Sequence, residues 1–191
     1  MKRIGILGGT FNPVHIGHLA IAQTVLDEFK LDKVIFVPSN LPPHKRKKNV
    51  ISARERYQML CLAVKGNPCF DISDFEIKRK GKSYSIHTVN YFLEQFSKKT
   101  KFFFIIGSDM LAGLTSWKKF EELNRKVNFV AVNRKGFEKV KSKTKVKKID
   151  TLDLGISSSY IRRCLRNGKT VKYLLPESVS NYIDKRKLYT T

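Results

Sequence analysis

Acidic residues are scarce in this 191-residue chain, where 16 Asp and Glu stand against 38 Lys and Arg, giving a formal net charge of +22. Long apolar runs are also missing, since the strongest spans only residues 102–106 and a membrane-crossing helix needs about 20. Three cysteines without metal-ligand spacing disfavour a disulfide framework. The apolar stretch after Met1 is too short for a secretory signal. We therefore expect a cytoplasmic protein outside any membrane.

The positive charge is spread along the chain, and the only dense tract runs from Lys139 to Lys148. In this tract lysines alternate with small or apolar residues, which is typical of a solvated strand or loop. A patch that binds a polyanion is the alternative. In either case, a background of positive potential helps a phosphate-bearing ligand to reach the protein. With 41% apolar residues, the chain has enough hydrophobic material for a folded core.

Short apolar runs alternate with stretches of helical spacing over the whole length. This alternation predicts an α/β protein, a Rossmann-like doubly wound, mostly parallel sheet with helices on both faces. We expect one domain over residues 1–191, with a C-terminal helical portion from about residue 156. The predicted strands are 3–7, 34–37, 69–77, 102–106, 127–133 and 146–154, and the predicted helices are 15–29, 52–64, 86–96, 117–125, 158–166 and 176–185.

Two boundary signals support these helices. Ser52 precedes the second helix and Glu55 follows three residues later, the spacing of a capping box. Gly168 is expected to end the helix at 158–166. In sheets of this kind, ligands bind beyond the carboxyl ends of the strands, where the strand order reverses, so the loops that follow apolar strands are the places to look for a site.

The loop after the first strand combines features that bind an anion. Gly8 and Gly9 allow backbone N–H groups to approach a ligand closely, and Thr10 adds a hydroxyl. A helix then begins near His15, and its free N–H groups favour negative charge. His15 and His18 are three residues apart and share a helix face, so both imidazoles can donate to one phosphate. A metal site is the competing interpretation, although no third ligand accompanies them.

A second candidate element lies at residues 155–162, where three serines precede a helix. Helix capping alone would explain Ser157 or Ser158. Arg162 is one helical turn after Ser158, however, and a hydroxyl and a guanidinium beside a helix N-terminus form a phosphate clamp.

Three further stretches follow strands or precede helices. Lys45, in a proline-rich loop, can meet an anion or remain solvated. Ser85 lies at a helix start, where a plain N-cap is the simpler interpretation. Asp109 ends the most apolar strand, and the only tryptophan, Trp117, can stack on an aromatic ligand or belong to the core.

The first loop, Gly-Thr-Phe-Asn-Pro-Val-His-Ile-Gly-His from residue 9, resembles the signature of the nucleotidylyltransferase superfamily, and Ile-Ser-Ser-Ser-Tyr-Ile-Arg from residue 156 resembles its second phosphate element. The whole chain is similar to bacterial nicotinate-nucleotide adenylyltransferases. Four further motifs carry this resemblance: Pro-Pro-His-Lys at 42–45, Ser-Tyr-Ser-Ile-His-Thr at 83–88, Gly-Ser-Asp at 107–109 with a downstream tryptophan, and Tyr-Leu-Leu-Pro at 173–176. Asn12 and His87 depart from that pattern, since aspartate is usual at the first position and common at the second.

The resemblance implies adenylyl transfer from ATP to nicotinate mononucleotide, with Mg²⁺ arriving on the ATP phosphates rather than in a protein metal site. It implies that His15, His18 and Arg162 are catalytic. The implied ATP-binding residues are Gly8, Gly9, Thr10, Phe11, Lys45, Gly107, Asp109, Ile156, Ser158 and Ser159. The implied mononucleotide-binding residues are Thr10, Lys45, Tyr84, Ser85 and Trp117. A homo-oligomer is compatible with this activity, and nucleic acid is not an expected partner.

Two alternatives stay open at this point. One is another adenylyl- or cytidylyltransferase of the same fold, acting on nicotinamide mononucleotide, phosphopantetheine or glycerol phosphate. The other is a basic nucleic-acid-binding module, which would leave both phosphate elements unexplained.

Overall fold

The computed structural model describes residues 1–41, 50–132, 146–150 and 154–190. Within these residues, six strands form one parallel sheet in the order β3-β2-β1-β4-β5-β6. The predicted fold class is confirmed. The strands are β1 (Arg3–Gly9), β2 (Lys33–Pro38), β3 (Phe70–Ile72), β4 (Lys101–Gly107), β5 (Asn128–Val132) and β6 (Lys147–Ile149).

Helices cover both faces of the sheet, and a separate apolar cluster lies between each face and the helices that cover it. Strand β4 shows why, because Phe103 and Ile105 belong to one cluster while Phe104 and Ile106 belong to the other, as alternation along a strand buried on both faces requires. The helices are α1 (Ile16–Glu28), α2 (Ala53–Val64), α3 (Phe75–Arg79), α4 (Ser85–Gln95), a 3₁₀ helix (Ser108–Ser116), α5 (Phe120–Lys126), α6 (Ser158–Arg166) and α7 (Glu177–Lys185).

The strand order reverses between β1 and β4. The chain builds outward from β1 through β2 to β3, then crosses back to β4 and builds the other half. Strands β1 and β4 pair in parallel from Arg3–Lys101 to Leu7–Ile105, so their carboxyl ends open at the same edge. This is the switch point at which doubly wound sheets bind ligands.

Three predicted elements differ from those observed. The strand predicted at 69–77 is β3 alone, because Asp74 begins helix α3, with the hydroxyl of Ser73 accepting from the N–H of Phe75 at 3.3 Å. The helix predicted at 117–125 begins only at Phe120, since Lys119 has a positive φ of 54°. The strand predicted at 146–154 is observed only as β6, and residues 151–153 lie outside the described part.

The helix boundary signals are confirmed in part. Ser52 caps α2 by accepting from the N–H of Glu55 at 3.1 Å. The carboxylate of Glu55, however, accepts hydrogen bonds from Tyr182 in α7 and from Arg186 just after it. It therefore makes a tertiary contact instead of completing the predicted capping box. Gly168 follows α6 with a φ of 64°, a conformation that glycine adopts without steric cost.

The cysteines, the helix lengths and the basic tract were also interpreted from the sequence. Cys61, Cys69 and Cys164 are free thiols. Across the described ranges, none of the helices is long and apolar enough to cross a membrane. Most of the basic tract, residues 139–145, lies outside those ranges, while Lys147 and Lys148 are exposed on β6.

Candidate functional site

The loop after β1 is held by donors from distant parts of the chain. The carbonyl of Gly9 accepts from the N–H of Ser39 at 2.8 Å, and the carbonyl of Thr10 accepts from Nη1 of Arg56 at 2.8 Å. Both donors follow β1 in sequence by about 30 residues or more. A trans peptide points its C=O and N–H in opposite directions, so a carbonyl turned toward the protein turns the next N–H away from that donor.

Residues from α6 hold the second half of the same loop. Nη1 of Arg162 donates to the carbonyl of Asn12 at 2.7 Å, and the hydroxyl of Ser158 donates to the carbonyl of Pro13 at 2.8 Å. The start of α6 therefore lies beside the start of α1. The structure thus brings together the two predicted phosphate elements, which are about 145 residues apart in the sequence.

Gly9 and Phe11 give this loop its shape. Phe11 has a φ of 48°, and its buried ring contacts His18 and Phe36 with centroid separations of 5.0 and 5.9 Å. A Cβ on Gly9 would lie 2.8 Å from that ring, so a side chain there would displace it. Phe11 can thus offer a ligand its backbone, while its side chain belongs to the core.

His15 and His18 pack against each other at the N-terminus of α1. Their ring centroids are 3.7 Å apart at an angle of 32°, and His15 is buried. Nδ1 of His18 accepts from the backbone N–H of His15 at 3.2 Å. In its neutral form His18 therefore carries its proton on Nε2, which makes Nε2 a hydrogen-bond donor.

The Nε–H of Arg162 is available as a donor. Besides its bond to Asn12, its Nη2 donates to the hydroxyl of Ser159 at 3.1 Å. Its Nε–H is buried and has no acceptor in the described part of the chain. Burial lowers the pKa of Arg162, but arginine remains a cation at neutral pH. The hydroxyl proton of Ser158 is engaged with Pro13, so here Ser158 holds the loop in place.

Three further side chains complete this region, of which the sequence analysis named Asn12 only as a departure from the family pattern and missed Arg56 and Tyr189. Arg56 is 1% exposed and lies beneath the loop. Asn12 is buried, and its Oδ1 accepts from the hydroxyl of Tyr189 at 2.8 Å. Burial raises the pKa of Tyr189 and keeps its hydroxyl neutral. Because Asn12 is neutral too, Arg56 and Arg162 have no carboxylate within ion-pair distance among the described residues, and the region suits an anion.

A signal for Arg56 was present in the sequence. It precedes Met59 and Leu60 by three and four residues, and all three are buried on one face of α2. A charged residue on the apolar face of a helix indicates a specific polar partner in the fold.

Three of the residues predicted to bind a mononucleotide lie together on the other face of the sheet, namely Tyr84, Ser85 and Trp117. Thr10 lies instead in the loop after β1. Trp117 is half-buried and meets Phe104 and Phe129 edge-on, at centroid separations of 6.0 and 6.4 Å. Tyr84 is the N-cap of α4, which begins at Ser85, and Nζ of Lys118 lies 4.5 Å from its ring centroid. Within the described residues, neither a hydrogen bond nor a ring contact joins this group to the histidines.

The remaining candidates lie at separate points. Gly107 ends β4, and Asp109 begins the 3₁₀ helix that follows it. Ile156 is half-buried, with its Cβ 3.9 Å from where a Cβ on Gly17 would be. Lys45 lies outside the described residues.

The donors gathered at this edge are imidazole, guanidinium and backbone N–H groups, all of which can donate hydrogen bonds to phosphate oxygens. Within the described ranges, no group of three or more His, Cys, Asp or Glu side chains is placed to hold a metal ion. The geometry therefore favours a polyphosphate ligand at the junction of α1 and α6.

A family model described as cytidylyltransferase-like matches residues 6–164, a span that includes both phosphate elements. A protein of Thermoanaerobacter sp. (strain X514), named "Probable nicotinate-nucleotide adenylyltransferase", is 44% identical over 98% of this chain and 94% of its own. One of the same name from Shouchella clausii (strain KSM-K16) is 44% identical over 99% and 97%. The chain belongs to the nicotinate-nucleotide adenylyltransferase family. It is therefore a nucleotidyltransferase.

Solved structures agree on the fold. Plasmodium falciparum nicotinic acid mononucleotide adenylyltransferase, complexed with NaAD, is similar with a TM-score of 0.80 at 20% identity, over 99% of this chain and 98% of that one. The same enzyme complexed with APC gives a TM-score of 0.77 over the same shares. The likeness extends over the whole Rossmann-like sheet and its helices.

Proposed function

We propose that this nucleotidyltransferase moves the adenylyl group of ATP to nicotinate mononucleotide, a step of NAD biosynthesis that yields deamido-NAD and pyrophosphate. The observation that carries the proposal is the junction of α1 and α6, where Arg162 donates to the carbonyl of Asn12 and Ser158 to that of Pro13, just before the histidine pair. The relatives in this family, matched over nearly the full chain, support the choice of substrates.

The reaction forms one P–O bond and breaks another. An oxygen of the mononucleotide 5′-phosphate attacks the α-phosphorus of ATP, and the bond from that phosphorus to the bridging oxygen of the β-phosphate breaks. Pyrophosphate leaves with the electron pair. A phosphate monoester is largely ionised at pH 7, since its second pKa is about 6. The protein therefore needs no general base, and its task is to position charges and stabilise them.

The histidine pair would bind the α- and β-phosphate region. Nε2–H of His18 is the donor set by the bond at its Nδ1, and it would stabilise charge that develops on the phosphate oxygens. His15 packs against it and would hold its ring in place while contacting the same phosphates.

Arg162 would bind the triphosphate and the leaving pyrophosphate through its Nε–H, with Ser159 beside it. Backbone N–H groups from Gly8 to Phe11 would contribute further bonds, together with the hydroxyl of Thr10. Ser158 would act mainly by fixing the carbonyl of Pro13. Ile156 would shape the wall of the ATP site.

The mononucleotide would extend along the same edge toward β4. We propose that Trp117 stacks on the pyridine ring, with Tyr84 and Ser85 at the start of α4 nearby, and that Asp109 after Gly107 meets a ribose. We also propose that Lys45 binds anionic groups of both substrates.

Mg²⁺ is proposed as a companion of ATP. It prefers oxygen ligands and retains water, and the nitrogen donors at the α1–α6 junction fit the phosphate oxygens themselves. The ion would neutralise phosphate charge, while the residues described above bind and orient the chain of phosphates.

A pyrophosphate-release assay tests the proposal. With ATP and Mg²⁺, we expect the highest kcat/KM for nicotinate mononucleotide, compared in parallel with nicotinamide mononucleotide and phosphopantetheine. CTP with glycerol phosphate should give little product. Equal or higher kcat/KM with another acceptor would overturn the substrate assignment, and no release with any pair would overturn the enzyme assignment.

A further inference from the structure

Arg56 is the largest side chain that is fully buried among the described residues. It lies on the inner face of α2 with Met59 and Leu60, where an aliphatic residue would complete the apolar stripe. A cation in that position loses its hydration, and the loss is offset only by close polar partners. The partners of Arg56 therefore indicate why this helix carries a charge.

The partners are three backbone carbonyls. Nη1 donates to Thr10 at 2.8 Å, Nη2 to Asn40 at 3.3 Å, and Nε to Ile51 at 3.3 Å. Among the described residues, no carboxylate pairs with Arg56. Its nearest acidic neighbour in sequence, Glu55, is engaged with Arg186 instead.

These carbonyls belong to separate segments of the site. Thr10 lies in the loop after β1, and Asn40 lies in the loop after β2. The bond to Ile51, just before α2, fixes the guanidinium relative to its own helix. The planar fork of arginine thus spans the two loops from below, in a geometry that a lysine ammonium cannot reproduce.

The hydrogen bond from Arg56 to the carbonyl of Thr10 also fixes the direction of the N–H in the same peptide. When the carbonyl of Thr10 points to Arg56, the N–H of Phe11 in the same trans peptide points the opposite way. The bond from Ser39 to the carbonyl of Gly9 acts likewise on the N–H of Thr10. Among the described residues, no group accepts from either N–H.

We propose that Arg56 is a positioning residue for adenylyl transfer, which orients the backbone N–H groups of the loop after β1 and fixes that loop relative to Asn40. This inference rests on the proposed function. Arg56 acts through the backbone of Thr10 and needs no contact with substrate. A misplacement of about 1 Å at such a site costs on the order of 10²-fold in rate.

The test compares three variants under saturating substrates. Arg56→Met should lower kcat about 100-fold, because all three bonds are lost. Arg56→Lys keeps the charge and one bond, and should retain about ten times the kcat of the methionine variant. The control is Met59→Ala, which opens a cavity on the same helix but removes no hydrogen bond to either loop, and whose kcat should stay within about two-fold of wild type at a temperature where it is folded.

Hydrogen exchange supplies a readout that does not depend on turnover. In Arg56→Lys, amide exchange should accelerate in residues 8–14 and 39–41, while protection in β4 and β5 stays at the wild-type level. Met59→Ala should instead accelerate exchange along α2. If the wild-type chain transfers no adenylyl group, the proposed function fails and this exchange pattern still decides the role of Arg56.

Two results would overturn the inference. One is a folded Arg56→Lys or Arg56→Met with wild-type kcat and wild-type exchange in both loops. The other is a loss of kcat in Met59→Ala equal to that in Arg56→Met, which would mean that Arg56 acts only through general stability. Should Arg56→Met fail to fold, Arg56→Lys and Met59→Ala carry the comparison.

Discussion

At the scale of single residues, the direction in which His18 donates depends on its neighbour. The backbone N–H of His15 donates to Nδ1 of His18, so the proton of the neutral ring is on Nε2, the atom proposed to donate to a phosphate. Gly17 lies between the two histidines in sequence and leaves room for the ring of His15, because a Cβ there would be 3.1 Å from its Nδ1.

Replacing His18 with alanine removes that donor. We expect kcat to fall by at least about 10²-fold, the loss typical for one donor to transition-state charge. Steady-state pyrophosphate release measures it. The control is Gln23→Ala on the same helix, since the side-chain hydrogen bonds of Gln23 among the described residues are to Asp27 and Asn67; it should leave kcat unchanged. Turnover within three-fold of wild type in His18→Ala would remove the histidine from the mechanism.

A methyl group at residue 17 should disturb the pair without deleting it. In Gly17→Ala, the ring of His15 must shift by a few tenths of an ångström, and we expect kcat to fall about ten-fold, given the sensitivity of rate to placement. The helix itself should gain stability, since alanine is the better helix former. Thermal melting and turnover measured together therefore separate the two effects, and an unchanged kcat would contradict the packing argument.

At the scale of elements, Glu55 connects α2 to the C-terminal helix. Its carboxylate accepts from Arg186 at 2.7 Å and from Tyr182 at 2.5 Å. The bond to Arg186, followed by that to Tyr182, lowers the pKa of Glu55 below its ordinary value of 4.5. The folded state thus favours the ionised form, so its contribution is present above pH 4.5 and is lost as the pH falls below that value.

Glu55→Gln should accordingly destabilise the protein at pH 7 and much less at low pH. Because Arg186 is half exposed, the effect should stay within about 1 kcal/mol, or a fall in Tm of about 2–4 °C for a chain of this size. Thermal melts at pH 7 and at pH 3.5 measure it. Glu94→Gln, at an exposed residue of α4 without an ion pair in the described structure, is the control. A difference in Tm that grows toward pH 3.5 would contradict the assigned direction.

At the scale of the whole molecule, the chain has a net charge of +22, and the proposed substrates are anions. Positive potential draws a polyphosphate toward the protein, and salt screens it over about 10 Å at 0.1 M. We expect KM for ATP to rise several-fold between 20 and 300 mM KCl, with kcat changing less than two-fold, because charges fixed within the site are screened less. Sucrose at matched osmolality is the control. A KM that does not depend on salt would mean that the net charge has no part in binding.

Local patterns were enough to predict much of the fold. Helices at 52–64 and 158–166 and the buried strand β4 follow from apolar spacing and capping residues, which act over a few positions. A strand and a helix are present within 69–77 and 117–125 as predicted, but their bounds were wrong, because Ser73, Asp74 and the positive φ of Lys119 set where they end or begin. Such turns depend on contacts with neighbouring elements, and apolar periodicity does not record them.

The sequence by itself determined the sheet class, and it predicted a phosphate-binding role for two loops, because glycines, histidines and a serine–arginine pair stand there at fixed spacing. Only the tertiary structure decided how these parts join. Pro13 accepts from Ser158, Thr10 from Arg56, and Asn12 from Tyr189, each across 46 residues or more. A buried donor bonds to whichever acceptor the packed core places within about 3 Å of it. The spacing of residues along the sequence does not specify that distance.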